Sequence, residues 1–273
     1  MYDSHMHSKN SHDGKETLDS LCLSAIEKGL KGIAVTDHID MHSYVRHNAY
    51  QTIQQSIADI LAAREKYAGQ LKVFCGVELG GYAVDSEMAG KVMALTDYDV
   101  VIGSLHYVGK GMFRQAYSKE KFDERVTDEQ IMEFLGVYFD ELLEIAAVSH
   151  CDVLAHLTCP MRYINAVYKR GIDVMKLENK ITAILKTIIE KDIALEINTS
   201  CYTEKYGYSF DPDERILGLY KEMGGELLTL GSDAHAAKNI ALGFGPAVEM
   251  LKRAGFTSYY YFEKRQPKAV SLS

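Results

Sequence analysis

The sequence predicts an α/β fold in which parallel strands form a barrel with helices on its outside. Short apolar runs alternate with helical patterns along the 273-residue chain, and parallel strands need such crossover connections. Polar residues follow nearly every apolar run, as expected when many loops converge on one rim of a barrel. An open, doubly wound sheet is the alternative, but no glycine-rich fingerprint follows the first strand.

The elements follow one another in a regular order. A short strand at 2–5 precedes a helix at 17–30 that has Thr17 as its N-cap. Further strands are predicted at 32–35, 73–77, 100–103, 153–155, 193–197, 227–230 and 259–262. Helices are predicted at about 49–67, 87–94, 128–148, 174–191, 212–223 and 239–254. The basic residues Lys264, Arg265 and Lys268 are interpreted as part of a solvated tail.

Composition indicates one globular domain over residues 1–273, with 47% hydrophobic and 25% charged residues. The net charge of −8 and the lack of a basic stripe argue against nucleic-acid binding. No membrane span or secretory signal is evident, so a cytoplasmic protein is expected. The five cysteines form no Cys-x-x-Cys pair, which suits reduced thiols that do not bind metal.

Histidines and acids stand at the carboxyl end of one predicted strand after another. A lone histidine there is more often structural, but repetition at successive strands favours a common cavity. Imidazole and carboxylate together suit Zn²⁺, Mn²⁺ or Fe²⁺, and a set this large exceeds what one ion takes. At least two ions are therefore expected. The residues are His5, His7, Asp37, His38, Glu78, His106, His156, Asp233 and His235.

Three motifs make this pattern specific. His5 and His7 are two apart on a strand and point the same way. The other two are Thr36-Asp37-His38 and Ser232-Asp233-Ala234-His235. With these motifs the chain resembles, over nearly its full length, the PHP (polymerase and histidinol phosphatase) metallophosphoesterases. Within that family it is most similar to the stand-alone histidinol-phosphate phosphatases.

The resemblance implies a distorted, TIM-like (β/α)7 barrel with three divalent ions, Zn, Mn or Fe, at the carboxyl rim of the strands. A metal-bridging hydroxide would attack phosphorus, with Glu78 and Asp233 as catalytic ligands. By the same resemblance one ion takes His5, His7, Glu78 and Asp233, a second takes His12, His38 and His156, and a third takes His106 and His235 with Glu78 as the bridge.

The resemblance also implies residues that contact phosphate. Arg162 lies just past His156 and is predicted to clamp a phosphate oxygen. Where related phosphatases commonly continue from Ser200 into Gly-Leu-Arg, this chain has Cys201-Tyr202-Thr203. A second phosphate-binding arginine is therefore missing, and Lys205 or Arg114 is a candidate to replace it.

Three further residues have roles that the sequence leaves open. Asp37 is expected either to orient a metal-bound imidazole or to act as a proton donor, and the first role is favoured. His42 and His47 either line the substrate pocket or are solvated loop residues.

The expected activity is hydrolysis of L-histidinol phosphate to L-histidinol and phosphate. Another PHP phosphoesterase activity, on a sugar, nucleotide or phosphoprotein, is the alternative, because the metal site recognises only the phosphate. A metal-binding regulatory module is a third possibility. The expected partner is a small phosphate ester, with no nucleic acid and no membrane, and the chain is expected to be a monomer or homodimer.

Overall fold

The computed structural model describes residues 1–110 and 115–272, so the candidate cation Arg114 lies outside the described residues. Ten strands and seven α-helices alternate along these segments. The strands are β1 Tyr2–Asp3, β2 Gly32–Val35, β3 His38–Asp40, β4 Lys72–Gly80, β5 Val100–Ser104, β6 Val153–Leu154, β7 Ala194–Asn198, β8 Leu228–Gly231, β9 Ser258–Glu263 and β10 Gln266–Ser271. The helices are α1 Leu18–Glu27, α2 Ala49–Lys66, α3 Ser86–Met93, α4 Asp128–Val148, α5 Glu178–Glu190, α6 Glu214–Glu222 and α7 Phe244–Arg253.

The strands form one sheet in the order β1-β2-β4-β5-β6-β7-β8-β9-β10, with β3 beside β4. Every pair is parallel except the hairpin of β9 and β10. The first and eighth strands also meet, because the amide of Ser4 donates to the carbonyl of Leu230 at 2.9 Å. The segments that follow them form a parallel bridge between Met6 and Ala234. The predicted parallel, TIM-like α/β fold is confirmed.

One face of the sheet changes character along the strands, from apolar to polar. Phe74 and Glu78 are both in β4 and an even number of residues apart, so they share a face. Phe74 packs in an apolar cluster with Ala34 and Ala194 near the start of the strands. Glu196 lies two residues after Ala194 in β7, so it shares the face of Glu78. The carboxyl ends of the strands therefore carry the polar groups.

Local sequence explains several helix boundaries. Thr17 caps α1 by accepting the amide of Ser20, as predicted. Thr127 and Gln130 form a capping box at α4, whose observed range equals the predicted one. The last helix begins at Phe244 rather than at 239, because Gly243 has a φ of 74° and turns the chain there.

The end of the chain corrects the prediction of a solvated tail. Residues 266–271 form β10, which pairs antiparallel with β9. Lys264 and Arg265 have φ values of 53° and 62°, as in the two central residues of a type I′ hairpin turn. Backbone pairing stabilises a strand whose sequence has too little apolar alternation to be recognised. Across residues 1–110 and 115–272, no helix is long and apolar enough to span a membrane.

Candidate metal centre

The predicted ligands meet at the carboxyl end of the strands, where they line or adjoin a cavity of about 500 Å³. His5 and His7 follow β1, Glu78 lies within β4, and His12 comes from the loop before α1. His156 and Asp233 have φ values of 61° and 50°, a conformation that costs free energy in residues other than glycine. Such strained residues cluster at functional sites because the surrounding fold must hold them in place.

Glu78 is the centre of the cluster. Four imidazole nitrogens lie within 2.7 to 3.2 Å of its oxygens, those of His5, His38, His106 and His156. Among the described residues, both Glu78 oxygens and Nδ1 of His38 are buried without a hydrogen-bond partner. Short distances without hydrogen-bond geometry are the arrangement expected of atoms that converge on shared cations, so the residues fit a metal centre.

Asp233 and Asp13 form two further meeting points of ligand atoms. Oδ1 of Asp233 lies 3.2 Å from Nε2 of His7. Oδ2 of Asp13 lies 3.2 Å from Nε2 of His235 and 3.8 Å from Nε2 of His12. The sequence motifs did not single out Asp13, whose carboxylate lies beside the predicted ligands and could bind a metal ion through oxygen. His12 is the most exposed of the predicted histidine ligands, at 40% of its side-chain surface.

The contacts group two histidines differently from the implied ligand sets. His156 contacts Glu78, and its ring centroid lies 5.0 Å from that of His106. The rings of His7 and His235 stack at 4.3 Å, and His235 forms a compact group with His7 and His38. Among the described residues, no compact group joins His12, His38 and His156. The reason is topological, because β6 lies beside β5 whereas His235 follows β8.

Two of the histidines, His5 and His106, also contact a carboxylate through Nδ1. Oε1 of Glu196 lies 2.5 Å from Nδ1 of His5, and Oδ1 of Asp40 lies 2.9 Å from Nδ1 of His106. An acceptor at Nδ1 keeps the proton there and leaves Nε2 free for a metal ion. Neither carboxylate was predicted from the sequence. The available signal was Glu196 itself, the acidic residue in the otherwise apolar run predicted as a strand at 193–197.

The charges of the cluster balance one another. Burial alone would raise the pKa of Glu78, but neighbouring His38, His106 and His5 hold it well below its ordinary value. Burial alone would lower the pKa of His5, but the charges of Glu196 and Glu78 raise it well above its ordinary value. Both directions favour an ionised Glu78 beside a protonated His5 when no metal is bound. Divalent metal ions would take over from the protons on the histidines.

Comparison with known proteins agrees with this geometry. The sequence profile of the PHP domain matches residues 3–200. The chain belongs to the PHP family. It is 28% identical to a probable histidinol-phosphatase of Clostridium acetobutylicum, over 98% of this chain and 99% of the relative. A histidinol-phosphatase of Lactococcus lactis is 26% identical, over 93% and 91%.

A solved structure has the same fold as this PHP chain. It is the crystal structure of histidinol phosphate phosphatase from Lactococcus lactis subsp. lactis Il1403, complexed with zinc, L-histidinol and phosphate. The two chains superpose with a TM-score of 0.74 over 98% of each, at 24% sequence identity. The PHP profile and this superposition support the TIM-like architecture.

Asp37 reaches the predicted ligands of the PHP site through serine hydroxyls. Its Oδ1 accepts the amide of Ser8 at 2.6 Å and the hydroxyl of Ser11 at 2.9 Å. Its Oδ2 accepts the hydroxyls of Ser8 and Ser56 at 2.7 and 2.5 Å. Ser11 in turn lies 3.3 Å from Nδ1 of His7. With both oxygens accepting hydrogen bonds, Asp37 is suited to orienting His7 through Ser11 rather than to donating a proton.

Arg162 begins a short irregular helix at Arg162–Val167 and lines the cavity. Its side chain is 11% exposed, Nη2 lies 4.0 Å from Oδ2 of Asp233, and neither Nε nor Nη2 has a hydrogen-bond partner among the described residues. The two free N–H groups are available to an oxyanion.

Other cations and loop histidines surround the same cavity. His42, Arg46, His47 and Lys119 line it, so both loop histidines lie at the pocket. The alternative cation Lys205 instead lies over the ring of Tyr206, with Nζ 4.6 Å from the centroid.

Proposed function

We propose that this chain is a metal-dependent phosphomonoesterase that hydrolyses L-histidinol phosphate to L-histidinol and phosphate. The observation that carries the proposal is the position of Glu78, whose buried oxygens face four imidazole nitrogens at 2.7 to 3.2 Å. The curated relatives support the substrate, since histidinol-phosphatases match nearly the whole chain.

The centre has ligands for three divalent ions, Zn, Mn or Fe. The contacts support a division in which Glu78 serves two ions. One ion would take His5, His7, Glu78 and Asp233, a second His12, His38 and His235, and a third Glu78, His106 and His156. Compared with the sets implied by the resemblance, His156 and His235 are exchanged.

The ions and the residues around them would have different roles in ester hydrolysis. Bound ions would neutralise charge on the phosphate and activate water near neutral pH. Arg162 lines the cavity, and its Nε and Nη2 have no hydrogen-bond partner among the described residues, so it would hold a phosphate oxygen and keep the ester bond aligned. Asp40 and Glu196 hold His106 and His5 in one tautomer. Asp37 would support His7 through Ser11.

The test uses purified full-length protein reconstituted with Mn²⁺ or with Zn²⁺. Phosphate release is measured from L-histidinol phosphate, a sugar phosphate, a nucleoside monophosphate and a phosphotyrosine peptide. We expect the highest kcat/KM on histidinol phosphate. A Glu78→Gln variant should lose metal and activity together. A higher kcat/KM on the nucleotide or the peptide would contradict histidinol phosphate as the substrate. If the metal-loaded protein released no phosphate from any of the compounds, a regulatory module would be favoured.

A further inference from the structure

Asp211 is a buried acid beside the metal centre with one unused carboxylate oxygen. Its backbone pairs with Asn198 at the end of β7, through bonds of 2.8 and 3.1 Å, and this places it at the rim where the ligands lie. Oδ1 accepts the amide and the hydroxyl of Thr158 at 2.7 and 2.6 Å. Oδ2 is buried and has no hydrogen-bond partner among the described residues. One oxygen thus fixes the loop after β6, and the other is available.

The available oxygen belongs to a side chain that lines a second cavity, of about 320 Å³. Cys159 and Arg162 line both this cavity and the larger one at the metal centre, so the two adjoin. Much of the remaining wall is apolar and comes from Met161, Ala166, Ile172, Val174 and Phe210. The cavity therefore offers an apolar wall, a buried carboxylate and one edge of the arginine that faces the metal centre.

Arg162 and His156 neutralise Asp211 only in part, because burial still keeps its pKa raised. No ion pair within 4.0 Å joins it to Arg162 in the described part of the chain. Arg215, at another side of the cavity, is already paired with Asp213 and Asp173 at 2.9 Å. Burial raises the pKa of Asp211 against the opposing hydrogen bond from Thr158. A cation at Oδ2 would offset the cost of keeping this carboxylate ionised.

Three other acids at the rim already contact histidines. Asp40 accepts from His106, Asp233 contacts His7, and Asp13 contacts His235. An ammonium group entering with a substrate would compete with the metal centre at those positions. At Asp211 it would meet one predicted ligand, His156, whose ligand atom lies in a compact group with Asp211 and Cys159.

We propose that Asp211 binds the ammonium group of a 2-aminoalkyl phosphate while Arg162 and the metal centre hold its phosphate. This subsite rests on the proposed function and deepens it, since L-histidinol phosphate carries an ammonium on the carbon next to the ester CH2 group. The apolar wall would then contact the rest of the alcohol. Asp211 would therefore determine specificity for substrates that carry this ammonium group. Arg162 lines both cavities, so it would contact the phosphate at the boundary between them.

The experiment compares two substrates that differ only in the amine, L-histidinol phosphate and 3-(imidazol-4-yl)propyl phosphate. Asp211→Asn keeps an oxygen for Thr158 but places an uncharged NH2 group where the cation would bind. We expect kcat/KM on histidinol phosphate to fall roughly 10- to 100-fold, the size of a lost charge-assisted hydrogen bond, with little change on the deamino compound. Thr158→Val is the matched control, because it removes a bond to Oδ1 and leaves the carboxylate, so the ratio of the two substrates should be kept.

A second measurement needs no variant. In the metal-loaded wild-type enzyme, L-histidinol should inhibit at least 10-fold more strongly than the deamino alcohol, and equal inhibition would overturn the subsite. An unchanged substrate ratio in Asp211→Asn, or an equal loss on both substrates, would also overturn it while leaving the proposed function intact. Absence of phosphate release from either compound would overturn both.

Discussion

Glu196 occupies space that exists only because residue 231 is glycine. A Cβ at Gly231 would overlap Oε1 of Glu196 and come within 2.7 Å of Cβ of His5, and the same Oε1 is the partner of His5 Nδ1 at 2.5 Å. Gly80 has the same relationship to Asp40, whose carboxylate fills the place of its missing Cβ and contacts His106. Two glycines thus make room for the carboxylates that contact two of the proposed metal-binding histidines.

Replacing Gly231 by alanine should therefore damage the metal centre without touching a ligand. The new Cβ displaces Glu196 and releases His5, and loss of such an outer group typically lowers metal affinity or activity about 10- to 100-fold. Metal content after dialysis against a graded chelator, read by elemental analysis, measures the effect directly.

Gly218 provides the matched control for this substitution. It lies inside α6 with open space around its missing Cβ, so alanine there should stabilise the protein by about 0.5–1 kcal/mol. Metal content should not change in Gly218→Ala. Gly231→Ala protein that retained its metal as tightly as the control would contradict the role assigned to Glu196.

The serine between Asp37 and His7 gives a second prediction. Ser11→Ala removes the hydroxyl that donates to Asp37 and contacts Nδ1 of His7, so metal affinity should fall about 10-fold or more. If Asp37 acts through Ser11, adding Asp37→Asn to that variant should cost little more than either change alone. Ser56→Ala is the control, because Ser56 contacts the other oxygen of Asp37. Additive losses in the double variant would show that Asp37 acts by another route.

The meeting of the proposed ligands at one rim was predictable because each strand of a parallel sheet brings its carboxyl end to that rim. A single sequence is enough to show histidines and acidic residues directly after predicted strands, as with His106 and Asp233. The orienting groups are not visible in this way. Glu196 and Asp40 become partners of His5 and His106 only through packing across strands, and no spacing in the chain encodes that contact.

The division of ligands among ions and the role of Asp37 depend on distances for the same reason. His38 and Asp37 are adjacent in sequence, yet Asp37 bonds to serines of other segments and not to that histidine ring. Strand β10 was missed because its pairing with β9, rather than its own pattern, specifies it.

Removing the metal should reverse how stability depends on pH. Burial alone would lower the pKa of His235, but the contact with Asp13 and the charge of Asp233 raise it to about 9. The unfolded value is about 6.5, so protonated His235 stabilises the metal-free fold fully below pH 6.5, and this contribution is lost as the pH rises towards 9. His5 and His106, whose pKa values are also raised, contribute with the same sign.

Urea midpoints at pH 6.5, 7.5 and 8.5 test this prediction. The midpoint of chelator-treated protein should decrease across the series. The midpoint of metal-loaded protein should stay constant or rise as the pH increases, because metal binding needs neutral imidazoles. Asp13→Asn should flatten the metal-free series by removing a contact of His235. A metal-free midpoint that rises with pH would contradict the charge balance described for the cluster.

Arg162 provides the last prediction, which concerns how the phosphate is held with one arginine instead of two. Its Nε and Nη2 groups are both buried and have no hydrogen-bond partner within residues 1–110 and 115–272, so they can form two parallel bonds to one phosphate, a geometry that lysine cannot reproduce. Arg162→Lys should therefore lower kcat/KM by about 100-fold on histidinol phosphate and on its deamino analogue alike. Inhibition by inorganic phosphate should weaken as well, while metal content stays at the wild-type level. Lys205→Ala, which removes a cation stacked on Tyr206, should leave all three measurements unchanged; an equal loss in that variant would mean that Lys205 replaces the missing arginine.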